Sequence, residues 1–371
     1  MAINLYLESL SLTNFKNYES QTLDCSSTLN CFVGQNGMGK TNLLDAIHVL
    51  CLGKSHFMST DQNLVRTGED FFRLQAKFRK LDEKEDIVVK YKLRGKKVFE
   101  RNKIAYKRLA DHVGLLPLVI IAPDDAGLIL NGSEERRRFL DFILVQFDSQ
   151  YMTQLLRYNQ IIEQRNALLK SADHPKEVDI SLLEVYDAQL PEPAKYIFAK
   201  RTEFIEKLYP VFQAYYEEIS GGKEVVEISY KSHLQQDSMA DLLLLSRDKD
   251  LILQRTSKGI HKDDLILELK GKTLKQFASQ GQLKSYLLAM KLAQYELLRQ
   301  AREVTPILLL DDIFDKLDAN RVKHLLSLLI EHQFGQIFIT DTHEDRVEGI
   351  LQDIKFSSDY KKFVIADGAA Q

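Results

Sequence analysis

Three hydrophobic rhythms divide the chain. Apolar runs stand at Leu29 to Val33, broken only by Asn30, inside VTPILLLDDIF (304–314) and inside GQIFITDTH (335–343). Such runs read as strands covered on both faces, as in a parallel sheet. Residues 71–106 follow a β-meander pattern through FFRLQAKF, DIVVKYKLR and KKVFERNKIAY, with hairpin signals at Leu81-Asp82 and at Gly95. From about residue 125 to 219 apolar positions recur at helical spacing, as at Leu155, Leu156, Ile161, Ile162 and Leu168, punctuated by Pro191, Pro193 and Pro210. GGKEVVEISY (221–230) returns to strand. Further on, ASQGQ (278–282) runs into a helix pattern carried by Tyr286, Leu287, Met290 and Ala293, with Ser279 suited to its N-cap. The pattern is α/β, with no internal repeat and no sustained heptads.

Length and composition narrow the class. The chain has 371 residues, enough for two domains, one of which can be split by the other. Its 44% hydrophobic and 28% charged content is that of a soluble globular protein. Glu8, Lys16, Glu19 and Asp24 interrupt any N-terminal apolar core, and VGLLPLVIIA (113–122) is short and broken by Pro117. Neither a signal peptide nor a membrane span is expected, and the expected location is the cytoplasm. Cys25, Cys31 and Cys51 have no metal-ligand spacing and read as reduced thiols. A net charge of −3 means that any nucleic-acid surface must be local.

The strongest chemical signal is FVGQNGMGKTNLLDAIHVLCLG (32–53). Gly34, Gln35, Asn36, Gly37, Met38, Gly39, Lys40 and Thr41 satisfy GxxxxGK[ST] between an apolar strand and a periodic helix. Glycines let backbone N–H groups wrap phosphates, Lys40 adds a point charge at the β- and γ-phosphates, and the Thr41 hydroxyl suits Mg2+. A chance glycine turn would not be expected in that register, so a nucleoside triphosphate site is expected here. ILLLDD supplies the acidic strand end such a site needs. Asp311 is placed to hold Mg2+, and Asp312 to position the attacking water. The alternative for ILLLDD is an ordinary strand followed by a polar turn.

ASQGQ admits two readings: a capped helix start, or a helix mouth that also takes an anion. It lies about 240 residues after the first loop, and a second phosphate-facing helix mouth is redundant within one subunit. The order of P-loop, signature turn, LLLDD, the FDKLD loop with Leu317-Asp318 before a helix, and a last apolar strand resembles the ATP-binding-cassette group. In that group the signature turn closes on the nucleotide of a second subunit.

The resemblance becomes narrower along the chain. LTNFKNY (12–18), GQNGMGKTNLLDAI (34–47), APDDAGLILNGSEERRRFLD (122–141), QRNALLK (164–170), VYDAQL (185–190), GIHKDDLILEL (259–269), ASQGQLKSYLLAMKLAQ (278–294) and LLLDDIFDKLD (308–318) stand in one order. Together they resemble the RecF family of bacterial recombination and repair proteins, within the SMC-like ATPase group. The resemblance implies a P-loop ABC/SMC-like ATPase head with an inserted, mainly helical second domain, divided as 1–124 head, 125–219 insert and 220–371 head. It implies ATP and Mg2+ as cofactors, and an ATP-dependent homodimer that binds single-stranded or gapped DNA and helps load recombinase. Work with RecR and RecO, replication restart and SOS induction are also implied, with no membrane partner. Carried over by position, Gly34 through Thr41 bind ATP, Ser279, Gly281 and Gln282 form the signature, Thr41 and Asp311 serve the metal, and Lys40 and Asp312 the chemistry. The sequence departs from the family at Met58, where an arginine is common, and at Asp315 and Lys316, where serine and glutamate are commoner. The γ-phosphate sensor falls on Asp341 or His343, and Gln62 is either a glutamine-loop residue or a plain surface glutamine.

Charge adds a candidate DNA surface independently of the family. RGKKVFERNKIAYKR (94–108) carries Arg94, Lys96, Lys97, Arg101, Lys103, Lys107 and Arg108 against one glutamate, a local charge of +6, with Phe99 and Tyr106 between them. A solvated basic hairpin is the alternative. Arg136, Arg137 and Arg138 read as structural partners of Glu134, Glu135 and Asp141, and His261 to Asp264 as a turn entering a strand. Asp312 is one methylene shorter than the glutamate of transport ATPases, so slow, DNA-stimulated hydrolysis is expected. Two rivals are a structural SMC-type clamp, which needs longer arms than 125–219 provides, and a transporter ATPase subunit, whose usual LSGGQ is ASQGQ here.

Overall fold

The computed structural model describes residues 4–171, 174–222, 224–302, 304–314 and 319–370. Two compact units emerge, residues 1–125 with 294–371 and residues 126–293.

The first unit opens with β1 (Leu5–Phe15), β2 (Tyr18–Asp24), β3 (Leu29–Val33) and α1 (Lys40–Leu52). The meander follows as β4 (Phe71–Lys80), β5 (Glu83–Lys92), β6 (Val98–Arg101) and β7 (Ile104–Ala105), and then β8 (Leu118–Ile121). One antiparallel sheet has the order β2-β1-β4-β5-β6-β7. Leu81 (φ 49°) and Asp82 (φ 68°) form the two-residue turn between β4 and β5; positive φ at both positions matches the twist of the strands they join. Along β1 the inward positions are Leu5 and Leu7, then Leu10 and Leu12. The slip of one residue coincides with a register shift between Leu7 and Ser9 against β4, a bulge that keeps both leucine pairs in the core.

The second unit contains α2 (Gly127–Leu130), α3 (Ser133–Phe147), α4 (Ser149–Lys170), α5 (Ile180–Gln189) and α6 (Pro191–Ser220), then β9 (Val226–Lys231) and α7 (Met239–Leu253). It continues with β10 (Asp264–Leu269), β11 (Lys272–Thr273) and α8 (Leu274–Phe277); α9 (Gln280–Arg302) begins in it. Pro191 begins α6, where its missing N–H costs nothing, but Pro210 does not end the helix. The helix runs on because Phe204, Ile205, Leu208, Phe212, Tyr215 and Tyr216 bury one face on both sides of that proline. The expected boundary near residue 220 is not where the units divide. Residues 220–293 belong with the helices, since Val226, Ile228 and Tyr230 alternate inward along β9 and that strand packs on α6.

The chain returns to the first unit with β12 (Ile307–Leu310), α10 (Ala319–Glu331), β13 (Ile337–Asp341), α11 (Arg346–Asp353), β14 (Tyr360–Ala366) and β15 (Ala369–Ala370). Its second sheet has the order β15-β14-β3-β13-β12-β8, parallel from β14 to β8. Every residue of β3, β8, β12 and β13 is buried, the polar Asn30, Thr340 and Asp341 included, with the Asn30 amide satisfied by the Ser26 backbone. The carboxyl ends of β3, β13 and β12 lie side by side, where ligands of open α/β sheets bind. Among the described residues no helix is long and apolar enough to cross a membrane.

Candidate functional site

The loop between β3 and α1 bends through Gly34 (φ 146°) and Gly39 (φ 113°), conformations that side chains disfavour. Space is the second constraint. A Cβ on Gly34 would stand 2.3 Å from the Ile365 carbonyl oxygen, and one on Gly39 would stand 2.5 Å from the Asn17 amide. Lys40 is 6% exposed and its Nζ donates to the Gly34 (2.6 Å) and Gln35 (2.9 Å) carbonyls, which fixes the ammonium on the loop. A cavity of about 140 Å³ opens over Gly37, Gly39, Lys40 and Thr41, with Asp312 and Thr340 on its other side.

The acidic strand end lies against the first turn of α1. The Thr41 hydroxyl donates to the Asp311 carboxylate (2.9 and 3.1 Å). Burial pushes the Asp311 carboxyl above its usual range, opposed by the hydroxyls of Thr340 and Thr41 and the charge of Lys40. Thr340, at the end of β13, was not legible as a site residue. Its hydroxyl donates to Asp311 (2.8 Å) and accepts the Asp312 N–H (2.8 Å). Asp312 holds φ 47°, which turns the chain at the cavity wall. A hydroxyl and a carboxylate at 2.9 Å are the hard oxygen donors Mg2+ prefers, with phosphates and water completing its shell, so Thr41 and Asp311 fit that ion.

Asn42 also lines the cavity, and Asn17 and Tyr18 hold the loop from outside. LTNFKNY and GQNGMGKTNLLDAI contain these residues, but no pattern there assigns them a role at the site, because the β1–β2 turn brings Asn17 and Tyr18 to the loop. Neither sensor candidate lines the cavity. Asp341 is buried, accepts the His343 N–H (3.0 Å) and pairs with Arg346 (3.5 Å), while His343 is exposed. Gln62 is exposed in the turn Asp61–Leu64 and does not line the cavity either. The expectations at Asp315, Lys316, Leu317 and Asp318 lie outside the described residues.

In the second unit, Ser279 caps α9 reciprocally with Gln282. The Gln282 N–H donates to Ser279 Oγ (3.3 Å), and the Ser279 N–H donates to Gln282 Oε1 (2.7 Å). Gln282 Nε2 donates to Glu224 (2.6 Å), so its side chain is built into the unit, and Gly281 lies in the first turn. The arginine triplet is structural. Arg136 pairs with Asp264 (2.6 Å), Arg137 donates to the Asp263 carbonyl (2.8 Å), and Arg138 pairs with Glu134 (2.7 Å) and Glu135 (2.9 Å). Asp141 pairs instead with Arg201 (2.8 Å). Ile260–Lys262 is a single turn leading into β10, as expected.

The basic stretch 94–108 divides. Lys97 pairs with Asp61 (2.5 Å), Arg101 with Glu85 and Arg108 with Asp111 (2.9 Å). Phe99 is buried and packs near His112, so its ring is not available for stacking. Arg94, Lys96, Lys103, Lys107 and Arg108 are exposed. Cys25, Cys31 and Cys51 are free thiols, and burial pushes Cys25 and Cys31 up to about 12.

A glycine-rich loop between a buried parallel strand and a helix, faced by an aspartate two strands away, defines a P-loop ATPase head of the ABC/SMC class. The sequence profile of the RecF/RecN/SMC N-terminal domain family matches residues 6–361. The chain is 46% identical over 348 residues to the DNA replication and repair protein RecF of Flavobacterium johnsoniae, covering 94% of this chain and 97% of that one. It is 45% identical over 367 residues to the RecF of Phocaeicola vulgatus, covering 98% and 97%. It therefore belongs to the RecF family of DNA replication and repair proteins. A solved structure of the recombination mediator protein RecF-ATPrS in the RecFOR pathway superimposes with a TM-score of 0.89 at 30% identity, covering 100% of this chain and 98% of that one. An Smc head domain from Pyrococcus furiosus, at TM-score 0.58 and 18% identity over 99% of this chain and 95% of that one, shares the fold.

Proposed function

We propose that this chain binds ATP and Mg2+ at Gly34–Thr41 and acts as an ATP-switched, DNA-binding repair protein. The observation that carries the reading is one cavity lined by Lys40, Thr41, Asp312 and Thr340, with Asp311, just after β12, bonded to Thr41 and Thr340. In this reading the loop N–H groups and Lys40 bind the phosphates and Thr41 and Asp311 orient Mg2+. The ion neutralises charge that develops on the phosphates. Asp312 orients the attacking water, and its short side chain makes hydrolysis slow, as suits a switch.

Two copies associate head to tail on ATP. Ser279, Gly281 and Gln282 of one copy close on the triphosphate held by the other. The dimer engages single-stranded or gapped DNA, where DNA stimulates its ATPase. It serves recombinase loading, replication restart and SOS induction with RecR and RecO, in the cytoplasm. The similar solved structure is of a recombination mediator in the RecFOR pathway, which supports the choice of partners.

Sedimentation velocity with and without ATP tests this. The wild type should change from monomer to dimer on adding ATP. Ser279→Arg places a long cation at the mouth of α9 and should remain monomeric at ATP concentrations that saturate its own loop. Lys40→Ala should lose both binding and dimerisation. A dimer that forms without nucleotide and survives Ser279→Arg would refute the cross-subunit role.

A further inference from the structure

The β1–β2 turn grips the phosphate loop through residues that do not line the cavity. Asn17 Nδ2 donates to the Met38 carbonyl (2.9 Å), while Asn17 Oδ1 accepts from Asn42 Nδ2 (2.7 Å). The next residue, Tyr18, is fully buried and its hydroxyl donates to the Gly39 carbonyl (3.1 Å). The C-terminal turn adds a third hold, because the Gly368 N–H donates to the same Met38 carbonyl (3.2 Å). The turn is itself anchored. Lys16 Nζ lies 2.6 Å from the Asp45 carboxylate on α1, and that pair is almost wholly buried. Asp45 also receives the Ser55 hydroxyl (2.7 Å) and the His56 N–H (2.9 Å), so it is fixed from several directions. Burial raises the Tyr18 hydroxyl pKa, so it stays a neutral donor.

A loop that binds phosphate must aim its N–H groups inward, which turns carbonyls outward where each needs a donor. The Met38 carbonyl finds donors on Asn17 and Gly368, and the Gly39 carbonyl, which already opens the α1 ladder by accepting the Asn42 and Leu43 N–H groups (3.0 and 3.3 Å), gains a further donor in Tyr18. We propose that Asn17 and Tyr18 are positioning residues for the triphosphate. They fix the crest of the loop in its phosphate-binding conformation by capturing its outward carbonyls, and they act without touching the nucleotide base. Asn42 orients the Asn17 amide so that its NH2 group faces Met38. The proposal rests on the reading that Gly34–Thr41 binds ATP.

The test measures binding of a fluorescent ATP analogue and its displacement by magnesium ATP and by magnesium tripolyphosphate, which has no base. Full-length wild type, Asn17→Ala, Asn17→Asp and Tyr18→Phe are compared, with the melting temperature of each. Removing one loop-orienting donor should weaken ATP about five- to tenfold, and tripolyphosphate by the same factor. Asn17→Asp should behave like Asn17→Ala, because it keeps the acceptor for Asn42 and loses the donor to Met38. Tyr18→Phe keeps every apolar contact and carries the test if an Asn17 variant folds poorly. Unchanged affinity with a lowered melting temperature would overturn the proposal in favour of a purely structural role. Weakened ATP with unchanged tripolyphosphate would overturn it in favour of a base contact. Failure of the wild type to bind ATP would instead remove the nucleotide reading beneath it.

Discussion

Thr340 shows what a single residue contributes that no motif reveals. Lys40, Thr41 and Asp311 were legible because GxxxxGK[ST] and an apolar strand ending in Asp-Asp are local patterns. Thr340 enters because β13 lies between β3 and β12, and strand order is not written in any short stretch. Its hydroxyl ties the carboxylate of Asp311 to the backbone of Asp312, so it sets the geometry of both acids. Thr340→Val keeps the shape and removes those bonds. A hydrogen bond to a charged group contributes about 1.5–3 kcal/mol, so ATP hydrolysis should fall roughly ten- to a hundredfold. ATP affinity, measured by displacement, should change far less, since Lys40 and the loop remain. Equal loss of binding and turnover would mean that Thr340 only supports the fold. Residues of the second unit carry the converse lesson. Arg165 pairs with Asp187 (2.6 Å) and Asp250 (2.9 Å), and Arg201 with Asp141 and Asp263; both arginines, Asp250 and Asp263 are buried, while Asp187 and Asp141 are partly exposed. QRNALLK, VYDAQL and GIHKDD, stretches that carry the family resemblance, thus supply ionic clamps within the fold of this unit.

Among elements, α6 departs most from its sequence signals. A proline within a helical pattern reads as a break, yet this helix runs from Pro191 to Ser220 through Pro210. The apolar face overrides the local cost. That cost remains, because Pro210 removes one N–H from the ladder and sits on the exposed side of the helix. Pro210→Ala should restore the bond with nothing to repack. It should stabilise the second unit by about 1–3 kcal/mol, read as a raised melting temperature with nucleotide binding unchanged. A lowered melting temperature would mean that the proline fits a bend the packing needs. The start of α9 was better marked. Ser279 reads as the N-cap in the sequence, and the structure adds the reciprocal bond from its N–H to Gln282.

For the whole molecule, the sequence pattern gave the class and the family but misplaced a boundary. Residues 220–293 contain the signature turn, and the resemblance assigned them to the ATPase part; their packing joins them to the helices through the alternating inward face of β9. Alternation reveals that a strand buries one face, but not which neighbour covers it. Charge has the same limit at larger scale. The chain is net −3, and several cations of 94–108 are already neutralised by Asp61, Glu85 and Asp111. What remains for a phosphate backbone is chiefly Arg94 and Lys96 on the β5–β6 connection, Lys103 on the β6–β7 connection and Lys107 just after β7, all exposed. If these four carry DNA, binding should be insensitive to sequence and steep in salt, because each neutralised phosphate releases condensed counterion. Changing all four to glutamate should weaken binding of a gapped duplex and lower the slope of log K against log salt by about 3. ATP-driven dimerisation should survive, since none of the four lines the nucleotide cavity. Changing Lys97 and Arg101 instead should lower stability through their broken pairs and leave the salt slope nearly intact. If the slope tracks Lys97 and Arg101 rather than the exposed four, the hairpin is not the DNA surface.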